Sequence, residues 1–223
     1  MKLVVMRHGQ TDYNREHRYT GTTNLPLNDT GIQQARDAGQ APSVKLAFVS
    51  PLSRARQTAR LCFPNAEQRI VEGLREIDFG AFEGKNADDM KNDESYLSWH
   101  ASEWRLAPPG GQSRGEHQCI VLAATERIIQ EQEAAEAPFA LIVAHGGVAM
   151  AILCPYSCAW ISSSNCKGIS DPTQRRPAKQ MPRGPNCHII TLKRMSAASS
   201  ARHFTQVRER KHAPTLKRAS PSH

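Results

Sequence analysis

Three short apolar runs in this 223-residue chain end in residues that carry a charge or a ring nitrogen. LVVM (3–6) leads into Arg7-His8-Gly9. LAFVS (46–50) leads into Pro51-Leu52-Ser53-Arg54-Ala55-Arg56, and ALIVA (140–144) into His145-Gly146-Gly147. Arginine, histidine and glycine are poor strand-interior residues, so sheet propensity does not account for them. If the three runs were parallel strands of one sheet, their carboxyl ends would share an edge, and ligands of open α/β sheets bind outside that edge. The edge would gather two histidines and at least two arginines. Glycines at 9, 146 and 147 would let backbone amides come close to a ligand. Helix starts just beyond would add positive dipole ends. Such a cradle suits a dianion, and phosphate above all, because a guanidinium grips phosphate oxygens in pairs.

The elements that must position these residues are legible over residues 1–153. NDTGIQQARDAGQ (28–40) offers polar caps at Asn28 to Thr30 and then a helix. Pro51 is expected to open a helix through SRARQTARLC, since proline suits the first helical turn. A third short strand is expected near Arg69 to Glu72. Ser113 and Glu116 form a Ser-x-x-Glu capping pattern. The helix it starts should run to about Glu136, with His117, Ile120, Val121, Ala124 and Ile128 on one face. PFALIVAHGG (138–147) reads as a buried strand. Strands alternating with helices imply an α/β fold: a three-layer α/β/α sandwich on a mainly parallel central sheet.

With those blocks in place, the sequence resembles the histidine phosphatase superfamily, the phosphoglycerate-mutase-like proteins. The matching pieces are MRHGQTDYN (6–14), TGTTNLPLNDTG (20–31), VSPLSRARQTA (49–59), LREIDFGAFEG (74–84), PPGGQS (108–113) and VAHGGV (143–148). Arg-His-Gly alone is a weak signal, whereas six blocks in order are specific. The resemblance implies that His8 is the nucleophile that takes a phosphoryl group. Arg7 and Arg54 would hold the phosphate oxygens, and His145 would stabilise the transition state. Glu76 would serve as proton donor and acceptor. Asn14 falls where the family places a polar pocket residue, although it could be a turn residue only. The Gly146 amide would join the substrate-binding groups. Arg56 and Arg60 read as solvated helix residues. No metal and no cofactor are implied, and the partner is a small phosphorylated metabolite. Family mutases carry a longer insert with paired arginines after the Glu-bearing loop. Here residues 86–109 are short and acid-rich, with Arg105 the only arginine. That favours hydrolysis, in a layout similar to broad-specificity and α-ribazole phosphatases. A phosphoglycerate mutase and a non-catalytic phosphate-binding protein are the alternatives. Tyr96, Trp99 and Trp104 could cover an organic leaving group or form the inner face of a helix, and their spacing favours the latter.

The rest of the chain has different physics. The net charge is +8, yet 13 of the 29 Lys and Arg and only 2 of the 21 acids fall after residue 153. Only eight of the last seventy residues are Ile, Leu, Val or Phe, too few to bury a core. Residues 1–153 are therefore read as the phosphatase-like domain, and 154–193 as an atypical part with a possible closing strand at 186–192. Residues 194–223 are read as a basic, disordered tail that could touch nucleic acid or an acidic surface. The helix after His145 is expected to stop at Pro155. An insertion or altered reading frame is one account of that departure. The six cysteines make no Cys-x-x-Cys pair, which suits reduced thiols. No apolar run is long enough to span a membrane, and no signal-peptide pattern is present, so a cytoplasmic location is expected.

Overall fold

The computed structural model describes residues 1–157, 187–191 and 207–209. Its core is a six-stranded sheet of order β3-β2-β4-β1-β5-β6. The chain enters through β1 (Lys2–Arg7), passes the short α1 (Asp12–Arg15) and crosses one face with α2 (Asp29–Asp37) to reach β2 (Leu46–Val49). Helix α3 (Ser53–Cys62) leads to β3 (Glu67–Ile70). Two single 3₁₀ turns (Glu72–Leu74 and Gly80–Phe82), α4 (Glu94–Ala101) and the long α5 (Arg114–Ala134) carry it back to β4 (Phe139–Ala144). Helix α6 (Gly146–Ser157) follows, then β5 (Cys187–Thr191) and β6 (Val207–Glu209). Strands β3, β2, β4 and β1 are mutually parallel, while β5 is antiparallel to β1 and β6 to β5.

Alternation along the strands builds two cores. Leu3, Val5, Phe48, Ala140 and Ile142 meet Val121, Ile128 and Ile129 of α5 and Val148 and Ile152 of α6 on one face. Ala47, Val49, Leu141 and Val143 meet Ala35 of α2 and Ala55 and Ala59 of α3 on the other. This is the three-layer α/β/α sandwich that the sequence implies. Its connectivity also creates the crevice. The chain moves outward from β1 to β3 with α2 and α3 on one face. It then returns with α5 on the opposite face to insert β4 between β1 and β2. Helices leave the sheet in opposite directions there, which opens a gap at the carboxyl ends of β1, β4 and β2.

The caps follow the sequence closely. Asn28 Oδ1 accepts from the Gly31 amide at 2.8 Å, and Ser113 with Glu116 forms the reciprocal box that starts α5. Other expectations shift. Pro51 stands outside α3, whose N-cap is Leu52, with no side-chain cap bond. Ile120 is 46% exposed rather than part of the inner face of α5; Thr125 and Ile129 are buried there instead. The third strand ends at Ile70 instead of Glu72. Helix α6 continues past Pro155 to Ser157. A proline costs a helix one hydrogen bond and bends it, but need not end it at once. Three residues of the expected disordered tail, Val207–Glu209, pair with β5. The remainder of 194–223, like 158–186, lies outside the described residues.

Candidate active site

Register places the first two groups. Arg7 and Ala144 are opposed at the ends of parallel β1 and β4, and the His8 amide continues the ladder to the Ala144 carbonyl at 3.0 Å. The residue after each strand is a histidine, so the two rings must meet. Their centroids are 5.0 Å apart, edge to face. Thr58 of α3 then locks the chain beyond His8. Its hydroxyl accepts from the Gly9 amide at 3.1 Å and donates to the Arg54 carbonyl at 2.8 Å.

The His8 ring has a defined tautomer. Its Nδ1 lies 2.6 Å from the Gly9 carbonyl oxygen. A carbonyl only accepts, so Nδ1 carries the proton and Nε2 keeps its lone pair. The Arg54 Nε–H donates to that Nε2 at 3.3 Å. Burial, and then the charges of Arg54 and Arg7, hold the His8 pKa well below 6.5. His8 is thus a neutral base at neutral pH.

Arg54 sits in the first turn of α3 and is 1% exposed. Its Nη1 and Nη2 donate to the Thr23 and Gly21 carbonyls, each at 2.7 Å. Burial lowers its pKa to about 10 against the opposing pull of Glu76 and Glu83. Arg7 is also lowered by burial, with Glu76 opposing. Among the described residues its guanidinium makes no hydrogen bond or ion pair.

His145 is fully buried, and burial followed by Arg54, His8 and Arg7 keeps it neutral. Its Nε2 lies 2.7 Å from Ser50 Oγ, while its Nδ1 is buried with no partner among the described residues. Ser50 Oγ also accepts from the Leu52 amide at 3.4 Å. If the serine donates to Nε2, every atom but one is used: the orphan is an Nδ1–H. The opposite tautomer would strand both the hydroxyl proton and the Nδ1 lone pair. Counting unmet partners therefore favours a serine donor and a ring that offers Nδ1–H to an anion.

Glu76 follows the first 3₁₀ turn. Its Oε2 accepts from the Gly147 amide at 3.0 Å and its Oε1 from the Ile77 amide at 3.1 Å. A Cβ at position 147 would lie 2.2 Å from Glu76 Oε1, so glycine is needed for that approach. Beside Glu76 opens a cleft of about 380 Å³, with Thr22 and Gln112 in its wall. Arg7 and Arg54 act on both histidines, and Glu76 acts on both arginines, so the five groups share one neighbourhood around the amino end of α6, where Gly146 stands.

Three sequence expectations fare differently. The Asn14 carboxamide serves the capping box of α1: Oδ1 accepts from the Thr11 amide at 3.2 Å, and Nδ2 reaches Thr20 Oγ1 at 3.5 Å. None of its hydrogen bonds reaches the other five groups. The Gly9 and Gly147 amides are already engaged, by Thr58 and Glu76, and are not held open for a ligand. Gly9 is small because a Cβ would meet the Gly31 carbonyl oxygen at 2.5 Å. The aromatics form a separate cluster. Tyr96 and Trp99 of α4 are buried with Phe79 and Phe82, and Trp104 stacks on Trp99 from beyond the helix end.

Two residues escaped the sequence reading. Ser50 lay inside a quoted block without a role. Glu83 is a hub: its carboxylate accepts from the Thr22 amide and hydroxyl at 2.7 and 3.0 Å, from the Thr23 amide at 2.9 Å and the Thr23 hydroxyl, and from the Phe79 amide at 3.2 Å. It pins the loop whose carbonyls hold Arg54. The only local signal was a lone acid before Gly84, which has a positive φ of 78°.

Comparison with known proteins adds independent findings. The family model described as the histidine phosphatase superfamily (branch 1) matches residues 3–164. A 2,3-bisphosphoglycerate-dependent phosphoglycerate mutase of Parvibaculum lavamentivorans is 36% identical over 124 residues, 50% of this chain and 59% of that relative. The chain therefore spans about three fifths of its length. Phosphoglycerate mutase 2 of Gloeobacter violaceus is 35% identical over 164 residues, 68% of this chain and 73% of the relative. Among solved structures, the alpha-ribazole phosphatase of Shigella flexneri has a TM-score of 0.58 at 29% identity, covering 69% of this chain and 78% of that one. TTHB049 of Thermus thermophilus has a TM-score of 0.61 at 29% identity, over 93% and 98% of the two chains.

Proposed function

The chain belongs to the histidine phosphatase superfamily, and from that premise we propose that it is a metal-independent phosphomonoesterase acting through a phosphohistidine. Its substrate is a small phosphorylated metabolite. The observation that carries the reading is the fixed neutral tautomer of His8, with Nδ1 on the Gly9 carbonyl and Nε2 on the Arg54 guanidinium. The Nε2 lone pair forms the N–P bond while the P–O bond to the leaving group breaks. The Gly9 carbonyl stabilises the charge that then spreads over the ring. Arg54 keeps its grip on the Thr23 and Gly21 carbonyls as its Nε–H passes from Nε2 to a phosphoryl oxygen. Arg7, His145 Nδ1–H and the amino end of α6 take the other oxygens. Glu76, as a carboxylic acid, gives its proton to the departing oxygen. As carboxylate it then takes a proton from the attacking water, the P–N bond breaks and Nε2 recovers its electron pair.

The test is a ³²P-phosphoenzyme trap on the purified chain, with and without EDTA. Labelling and hydrolysis are expected to survive EDTA and to vanish in His8→Ala while the variant stays folded. Labelling retained by that variant would remove His8 as the nucleophile. A folded native chain that is never labelled would point to phosphate binding without turnover.

The names of the curated relatives favour a second reading, a phosphoglycerate mutase. Such a reaction must hold the dephosphorylated acid by its carboxylate between steps. The single arginine of residues 86–109, Arg105, is exposed at the end of α4 and donates to the Ser102 carbonyl at 3.0 Å. Hydrolysis is therefore the better reading. Isomerisation of 3-phosphoglycerate primed by 2,3-bisphosphoglycerate would reverse that order. The likeness to the Shigella flexneri enzyme makes an α-ribazole phosphate one candidate substrate.

A further inference from the structure

We propose that the cleft beside Glu76 receives a leaving group that is rich in hydrogen-bond donors and bears no negative charge, such as a polyol or an amino alcohol. This rests on the hydrolase reading, which brings the leaving oxygen to Glu76 and hence the organic group into the cleft that Glu76 lines. At about 380 Å³ the space is of small-molecule size. Besides Glu76, which the proposed reaction uses as an acid, its walls carry two carboxylates, Glu72 and Asp78, and one guanidinium, Arg75. That cation is already engaged, with its Nε donating to Glu72 Oε2 at 2.7 Å.

The neutral groups point the same way. His117 lines the cleft and is only 5% exposed. Its Nε2 lies 3.0 Å from the Arg75 carbonyl oxygen, so Nε2 carries the proton and Nδ1 offers a lone pair. That Nδ1 makes no hydrogen bond among the described residues. Asp78 gives one oxygen to the Gly80 amide at 2.7 Å, and its other oxygen makes no hydrogen bond among the described residues. Gln112 has its carbonyl on the Asp78 amide at 3.4 Å, which leaves its NH₂ as a donor. The uncommitted atoms of His117 and Asp78 are acceptors, and the charge of the wall is mostly negative. A hydroxyl or ammonium group completes such a wall, whereas a carboxylate meets like charges and finds Arg75 already paired with Glu72.

The experiment is a charge series of small phosphomonoesters at low salt: phosphoethanolamine, glycerol 1-phosphate and 3-phosphoglycerate. The native chain is expected to show kcat/KM at least about tenfold lower for 3-phosphoglycerate than for the other two, a ratio of the size that like-charge contacts produce. The double variant Glu72→Gln with Asp78→Asn keeps shape and frees Arg75. It is expected to narrow that gap several-fold, chiefly by raising kcat/KM for 3-phosphoglycerate. Because the readout is a ratio within one preparation, partial misfolding of the variant cancels. Equal or better turnover of 3-phosphoglycerate by the native chain, or a ratio unmoved by the double variant, overturns the inference and leaves the hydrolase reading standing. If none of the three esters yields a phosphoenzyme, both fall.

Discussion

Lowering the pH from 7.5 to 5.0 should destabilise this fold by an amount that the buried imidazoles of His8 and His145 set. In the native chain His8 and His145 are held well below the ordinary value of 6.5, by burial first and the Arg54 charge next. In the unfolded chain both titrate near that value. As pH falls through 6.5 the unfolded state takes up two protons that the native state refuses, so stability drops with falling pH. The loss continues until the depressed native pKa values are reached. Each proton refused is worth about 1.4 kcal/mol per pH unit, so the pair gives a limiting slope of about 2.7 kcal/mol per unit. Urea unfolding of the native chain and of His8→Asn across this range isolates the effect, because both carry the same carboxylates. The variant's curve is expected to be flatter by about 1.4 kcal/mol per unit below pH 6. Parallel curves would refute the reasoning, since they would mean that His8 titrates alike in both states. The same electrostatics place the acid limb of phosphoenzyme formation below pH 6.5.

Two further outcomes follow from single contacts. Ser50→Ala removes the donor to His145 Nε2 and frees the ring to take the wrong tautomer; phosphoenzyme formation should slow by roughly ten- to a hundredfold, the equivalent of about 1–3 kcal/mol, with Ser50→Thr retaining most of the rate in the same rapid-quench assay. Gly147→Ala pushes a methyl group to 2.2 Å from Glu76 Oε1, so the carboxylate must move; thermal unfolding should change little while steady-state hydrolysis falls, and an unaltered rate would remove Glu76 from the proton path.

The gathering of His8 and His145 was legible in the sequence because it needs only two facts. Each follows an apolar run, and parallel strands in register bring their ends together. The capping roles of Asn28 and Ser113 were legible because they are local. What escaped is carried by side chains that join distant segments. Ser50 and His145 are 95 residues apart, and Glu83 reaches back 60 and 61 residues to Thr23 and Thr22. No periodicity records such pairs. Asn14 shows how one residue type suits two tasks: the same carboxamide can cap a helix or face a ligand, and here its oxygen is used by Thr11. Ile120 misled for a related reason. A helical period identifies a stripe, but the stripe of α5 turns toward Thr125 and Ile129 and leaves Ile120 at the rim of the cleft.

The cost that the site imposes on the fold and the reactivity it would confer have one origin. Two guanidiniums are buried close together, with Glu76 and Glu83 as the opposing charges, and burial makes each less comfortable as a cation. Their charges also deny His8 and His145 a proton. Without those cations His8 would gain protons more readily and lose the lone pair needed for attack on phosphorus. A bound dianion reverses both effects: it compensates the guanidiniums and makes a positive imidazole ring tolerable at the moment Nε2 acquires phosphorus. The cost of holding two cations away from water is thus relieved along the proposed reaction path. The backbone carbonyls of Gly21 and Thr23, which Glu83 holds in place, keep Arg54 ready for it by supplying partial negative charge without a competing carboxylate.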